Sequence, residues 1–123
     1  MIAIDTNVLR RYLLGAIDRC TPIVAEALNA REVLLPPIVL TEALSDAQIT
    51  SSDIEMTLSI PSVPLFDGYW YRAGNLRRDL ISKKLRAPTA DCLIAQACID
   101  YELPLLTFDG GFTRYVQLGL KLL

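Results

Sequence analysis

Apolar residues in this chain fall into short runs, separated by stretches where they recur every three or four positions. Ile2-Ala3-Ile4 is such a run, ends at Asp5 and predicts a buried strand. Val8, Leu9, Tyr12 and Leu13 then recur at helical spacing, with Gly15 as the stop. Thr21-Pro22 reads as an N-cap followed by proline at the first helical position, and Ile23, Val24, Ala27 and Leu28 give that helix one apolar face. Val33-Leu34-Leu35 predicts a second strand. Pro36-Pro37 argues against a helix at that point, so the next helix is expected to start near Thr41. Ser51 and Ser52 precede a short helix through Leu58, and Ser62 to Phe66 predicts a third strand, interrupted by Pro64. Asp67 is expected to cap a long helix with Tyr69, Ala73, Leu76 and Leu80 on one stripe. Thr89 caps a helix from Ala90 to Glu102 that is apolar on nearly every face and therefore largely buried, and Leu103-Pro104 ends it. Leu105 to Phe108 is the fourth strand and Leu118 to Leu123 the fifth. Strands alternating with helices imply right-handed crossovers and a mainly parallel, five-stranded sheet between two helical layers, a three-layer α/β/α sandwich. No repeat, low-complexity tract or linker divides the chain, so one domain over residues 1–123 is expected.

Composition narrows the chemistry. With 123 residues, 52% of them apolar and 21% charged, the chain can build a core without staples and is not a disordered one. Twelve Lys and Arg oppose fourteen Asp and Glu, for a net charge of −2. That argues against a coat for bulk nucleic acid but leaves room for an enzyme with a local basic track. There is no histidine. Ser-His and Cys-His nucleophiles, His-ligated zinc and His-based ribonuclease chemistry are thereby excluded. The three cysteines, Cys20, Cys92 and Cys98, form no C-x-x-C pair and read as buried apolar residues in a reducing compartment. The first residues lack the basic start and small-residue cleavage site of an export signal, and no apolar run approaches the roughly 20 residues of a membrane span. A cytoplasmic protein with no membrane partner is expected.

The acids carry the functional signal. In an α/β sheet the C-terminal ends of the strands form the functional edge, and the helix leading into a parallel strand starts at that edge. Asp5 follows the first strand and Asp109 the fourth. Glu42 is expected in the first turn of the helix after the second strand, and Asp91 in the first turn of the helix leading into the fourth. Each has an ordinary explanation: a cap, a helix-dipole partner or a turn residue. Four of them on one edge repel one another unless a cation neutralises them. A hard divalent ion held by oxygen ligands, Mg²⁺ or Mn²⁺, suits such a site and can activate water at a phosphodiester without histidine.

Four segments resemble the motifs of PIN-domain nucleases, in order and across the whole chain. Ala3-Ile4-Asp5-Thr6-Asn7-Val8-Leu9 is similar to their opening motif, and Leu40-Thr41-Glu42 to the second acidic motif. Thr89-Ala90-Asp91-Cys92-Leu93-Ile94-Ala95 resembles the third, and Leu106-Thr107-Phe108-Asp109-Gly110-Gly111-Phe112 the fourth. The opening and third motifs are the most specific. The small size resembles the VapC toxins of toxin–antitoxin pairs. The resemblance implies a Mg²⁺- or Mn²⁺-dependent endoribonuclease that hydrolyses RNA by metal-activated water, forms a homodimer and is inhibited by a cognate antitoxin. It assigns Asp5, Glu42, Asp91 and Asp109 as the catalytic and metal-binding acids, with Asn7 and Thr107 as polar supports. The chain departs from the pattern at Gly111, where many members carry another polar or acidic residue, so one-metal chemistry stays open.

Six of the twelve positive charges lie between Arg72 and Arg86, running into the third motif, whereas the first 67 residues carry four against nine acids. Lys83, Lys84 and Arg86 are therefore the candidate RNA-binding residues, against the ordinary reading of a solvated helix end. Two other readings compete. One is a PIN-like module that binds RNA or protein without cutting. The other is a phospho-receiver domain, which needs an acid pair after the first strand and a late lysine. Here Asp5 stands alone, and the only late lysine, Lys121, lies inside the last strand.

Overall fold

The computed structural model describes all residues, 1–123. Its elements are β1 (Ile2–Ile4), α1 (Thr6–Leu13), α2 (Thr21–Asn29), β2 (Val33–Leu34), α3 (Pro37–Leu44), α4 (Ser51–Ser59), α5 (Tyr69–Ser82), α6 (Thr89–Asp100), β3 (Pro104–Leu106) and β4 (Lys121–Leu122), with a 3₁₀ segment over Gly110–Leu118. The strands form one parallel sheet in the order β2-β1-β3-β4. β1 pairs Ala3 with Leu34 on one side and Ile4 with Leu106 on the other. The chain leaves β1 towards β2 and later returns to β3 on the opposite flank. The C-terminal ends of β1 and β3 therefore border a topological switch point, the place where open α/β sheets bind ligands.

One cluster of 29 buried residues packs both faces of the sheet, from Ile4, Leu105 and Leu106 to Val8, Leu9, Val24, Leu80, Ile94 and Tyr115. Helix α6 buries Cys92, Ile94, Ala95, Gln96, Ala97 and Cys98, as its nearly all-apolar sequence predicts. The three cysteines are buried free thiols. Two polar ties seat α6 against α5. The Tyr69 hydroxyl donates to the Leu93 carbonyl at 2.6 Å, and Arg72 pairs with Asp100 through Nε at 3.0 Å and Nη2 at 2.5 Å. No helix is long and apolar enough to cross a membrane.

The sheet has four strands rather than five. The expected third strand contributes a single parallel bridge, Leu35 to Ser62. Pro61 and Pro64 supply no N–H, so pairing stops on either side of it. The expected fourth strand runs from Pro104 to Leu106, two residues short of the expected end at Phe108, and the fifth is only Lys121–Leu122. The residues before that last strand coil into the 3₁₀ segment, which the pattern reading left without an element. Helix α3 starts at Pro37, not near Thr41. Proline is favoured at the first helical position, where its missing N–H has no partner to lose. Glu42 thus lies in the second turn rather than the first. Three expected caps also differ. Pro88 caps α6, which begins at Thr89 itself. Gly68, at φ 82°, caps α5 in place of Asp67, and Asp18 Oδ1 caps α2 by accepting from the N–H groups of Cys20 and Thr21 at 2.8 and 2.9 Å.

Candidate functional site

Asp5 follows β1 and caps α1, with 7% of its surface exposed. Its Oδ1 accepts from the Thr6 N–H at 2.7 Å and its Oδ2 from the Thr107 hydroxyl at 2.7 Å. The same hydroxyl accepts from the Asp109 N–H at 2.9 Å. Thr107 therefore joins two of the four acids across the β1–β3 seam. Asp109 Oδ1 accepts from the Gly111 N–H at 2.8 Å and so caps the 3₁₀ segment. Glu42 Oε1 accepts from the Thr6 hydroxyl at 2.7 Å, which ties α3 to the start of α1. Asn7 Oδ1 accepts from the Phe108 N–H at 3.3 Å and links α1 to the loop after β3. Asp91, in the first turn of α6, has no hydrogen-bond partner in the protein.

These acids share one electrostatic field. Burial pushes the Asp5 carboxyl above its ordinary 3.8; the bonds from Thr107 and Thr6 oppose that, and the charges of Glu42 and Asp109 add to it. Burial also raises Asp91, followed by the charges of Asp109, Asp5 and Glu42, with Arg114 pulling the other way. Two clefts meet at Asp91. One, of about 440 Å³, is lined by Asp5, Thr6, Asn7, Arg10, Glu42, Ser45 and Asp91, with Ile94 as its one hydrophobic wall. The other, of about 180 Å³, has no hydrophobic wall and is lined by Arg86, Pro88, Asp91, Asp109, Gly111 and Arg114. The four acids and both supports thus lie at one sheet edge.

No three acidic, His or Cys side chains converge into a ready-made metal cage. Glu42, Asp5 and Asp109 are instead held by hydroxyl and peptide donors, while Asp91 is free. This oxygen-only, open donor set fits a small hard cation that keeps several waters and takes one or two carboxylates. It suits zinc less well, because zinc favours four-coordinate sites that include nitrogen or sulfur ligands.

The basic segment is divided by the structure. Arg72 is spent on Asp100, and Arg77 Nε on the Ala87 carbonyl at 2.8 Å. Arg78 donates to Asn75, and Lys83 pairs with Asp79 at 3.1 Å. Lys84, in a left-handed turn at φ 60°, and Arg86 project exposed side chains, and of the three candidates only Arg86 lines a cleft. Sequence reasoning missed positive charge elsewhere. Arg11 and Arg19 flank the exposed Phe108 ring at 5.5 and 5.2 Å, and Arg19 Nη2 donates to the Thr107 carbonyl at 3.3 Å. It also missed Thr6, although this residue lies inside the opening motif, and Arg114, which falls in the unassigned 3₁₀ stretch.

Comparison with known proteins bears on the fold and the family. No curated protein matches the chain. Among solved structures, VapBC2 from Rickettsia felis, bound to a DNA fragment from its promoter, is similar at TM-score 0.78 and 22% identity, covering 100% of this chain and 98% of that one. VapBC-5 from Mycobacterium tuberculosis, of the VapBC family of toxin–antitoxin systems, is similar at TM-score 0.61 and 22% identity, covering 93% and 89%. At that identity the likeness is one of fold. The family model for the PIN domain matches residues 2–118, nearly the full length, and the chain belongs to the PIN domain family.

Proposed function

We propose that this PIN domain is a divalent-cation-dependent endoribonuclease and the toxin of a toxin–antitoxin pair. The observation that carries the reading is the gathering of Asp5, Glu42, Asp91 and Asp109 around one polar edge, with Asp91 left unpartnered. The family membership and the likeness to VapBC structures support it; the PIN family match also displaces the receiver reading. Asp91 and Asp5, with Glu42 and Asp109 around them, would hold Mg²⁺ or Mn²⁺. When bound, such an ion supplies Lewis acidity that makes water nucleophilic at neutral pH and offsets charge on a phosphodiester. The chain's own residues do the rest. Thr107 keeps Asp5 oriented and favours its ionised form, and Thr6 does the same for the position of Glu42. Asn7 pins the loop that carries Thr107 and Asp109. A cognate antitoxin and a homodimer belong to the same proposal. Val8, Leu9, Val24 and Ala27 are spent in the core, so a two-fold contact through the N-terminal helices would use the exposed Leu14 and Ile17 instead.

The competing reading is a module that binds RNA without cutting it. An RNA cleavage assay with and without added Mg²⁺ or Mn²⁺ separates the two. Cation-dependent cuts support the nuclease, and binding with no cuts supports the module.

Thr107→Val tests the support role. It keeps the shape but removes the donor to Asp5 Oδ2 and the acceptor for the Asp109 N–H. Cleavage should fall by about 10–100-fold, as when the outer partner of a ligating group is lost. The Thr107 bond is the largest influence lowering the Asp5 pKa, so the acid limb of the pH–rate profile should move to higher pH. Thr107→Ser should restore both, and an unmoved profile in the valine variant would remove Thr107 from this role.

Replacing Lys83, Lys84 and Arg86 together with alanine should weaken RNA binding and flatten its salt dependence, by about 0.7 in log–log slope for each lost contact to a single strand. Because Lys83 is already paired with Asp79, most of the loss should come from Lys84 and Arg86. Filter binding across a KCl series checks this. An unchanged affinity and slope would assign the segment to an ordinary solvated face.

A further inference from the structure

Arg114 is the one cation whose charge reaches Asp91 from across the smaller cleft. Its guanidinium is held from two sides. Nε donates to the Gly111 carbonyl at 2.7 Å, and Nη1 donates to the Arg86 carbonyl. It forms no ion pair, although Asp91 and Asp109 line the same cleft. Nη2 donates to no protein acceptor. A guanidinium has five N–H groups in a fixed plane. With two used to fix its position, three remain for a ligand.

Gly111 is what makes room for it. A Cβ at residue 111 would lie 3.0 Å from Arg114 Nη2 and 3.0 Å from Asp109 Oδ1. The place where any other residue would put its side chain is thus bordered by the arginine fork on one side and an acid of the site on the other.

We propose that Arg114, admitted by Gly111 and braced by the carbonyls of Gly111 and Arg86, is a phosphate-binding residue that holds an RNA phosphodiester at the Asp91–Asp109 side of the site. The free Nη2 edge presents two donors to non-bridging phosphate oxygens, a geometry that suits arginine and not lysine. A fixed cation at this spot offsets the repulsion between the phosphate and the acids, and it needs no reorganisation when the substrate arrives. Arg86 lies on the same cleft, which makes this the point where the basic segment and the acidic edge meet. This inference rests on the ribonuclease reading.

The test measures binding of a short single-stranded RNA, in EDTA so that no cutting occurs, over a KCl series. Wild type, Arg114→Ala, Arg114→Lys, Gly111→Ala and the Gly111→Ala/Arg114→Ala double variant are compared, with thermal melting as the fold control. Arg114→Ala should weaken binding about tenfold and lower the salt slope by about 0.7, the value for one phosphate contact on a single strand. Arg114→Lys should recover the slope but little of the affinity. Gly111→Ala should reproduce the arginine defect by displacing the fork, and the double variant should be no worse than either single one, the non-additivity expected of residues acting as a unit. Unchanged affinity and slope in Arg114→Ala, or additive losses in the double variant, would overturn the inference while leaving the nuclease reading in place. Wild-type protein that neither binds nor cuts RNA would overturn the reading itself, and this inference with it.

Discussion

Asp91→Asn is expected to lower cation-dependent RNA cleavage by about 10³-fold or more and, at neutral pH, to make the protein more stable. The activity loss follows from the unpartnered state of the Asp91 carboxylate, which leaves it the acid most available to a cation. An amide in its place carries no charge, and charge stabilisation by a bound ion is worth several kcal/mol, each 1.36 of which is tenfold in rate. The stability gain follows from the direction of the pKa shift. Burial, then Asp109, Asp5 and Glu42, hold the folded carboxyl above its ordinary 3.8. Between the ordinary value and that raised value the native state binds more protons than the unfolded chain. Stability therefore falls as pH rises through that window, and the cost is fully present above it. Asparagine removes the cost. The variant should melt a few degrees higher at pH 7, a gain of about 0.5–2 kcal/mol of the kind that relieving a functional site gives, and its advantage should vanish near pH 4. Asp5→Asn should lose activity in the same way but gain little stability. Its carboxylate accepts from both the Thr6 N–H and the Thr107 hydroxyl, and an amide offers one oxygen for those two donors. Melting curves at pH 4 and pH 7 for both variants, beside a cleavage assay at saturating Mg²⁺, check the pair. Near-normal cleavage by Asp91→Asn would remove it from the assigned site.

The acids were legible in the sequence because their positions depend on strand ends, which short apolar runs mark sharply. Ile2-Ala3-Ile4 stops at Asp5, and the run ending in Leu106 stops three residues before the Asp109 N–H that Thr107 captures. Glu42 was placed at the right edge through the wrong helix start. Treating Pro36 and Pro37 alike hid the difference between them: Pro36 is the extended N-cap, at ψ 134°, and Pro37 is the first helical residue. The helix is therefore longer than expected, and Glu42 is brought to the site by the Thr6 hydroxyl from its second turn. The 3₁₀ segment escaped because it does not follow the 3.6-residue period. Its signal is a three-residue one: Phe112 and Tyr115 are fully buried, and Leu118, three further on, is partly so. Arg114 lies between the first two, and with the element unread its approach to the acids could not be seen. The fate of Arg72 and Arg77 was illegible for another reason. A basic residue on a helix looks the same in sequence whether it faces solvent or, as here, meets Asp100 or the Ala87 carbonyl across the fold.

Chelation is expected to stop cleavage entirely, and the products made before chelation are expected to carry 5′-phosphate and 3′-hydroxyl ends. The alternative route, attack by the ribose 2′-hydroxyl, leaves 2′,3′-cyclic phosphates and calls for a base and an acid tuned near neutral pH, the work histidine usually does. This chain has no histidine. The tyrosine and thiol nearest the acids are no substitute. Burial pushes Tyr115 far above its ordinary range and raises Cys92 as well, and the two groups face each other at 3.5 Å in the core rather than towards the clefts. What the clefts offer is carboxylate oxygen, with Arg86 and Arg114 on one side and Arg10 on the other. Such a set can seat a hard cation and hold a phosphodiester, which directs the reaction to water as the nucleophile and leaves the 2′-hydroxyl unused. A 5′-labelled RNA carrying a single 2′-deoxy substitution on the 5′ side of the cut makes the distinction direct. Cleavage at that bond should persist with Mn²⁺ or Mg²⁺ and disappear with EDTA. Cyclic phosphate ends, cutting in EDTA, or loss of cutting at the deoxy position would each show that the four acids act by a different chemistry.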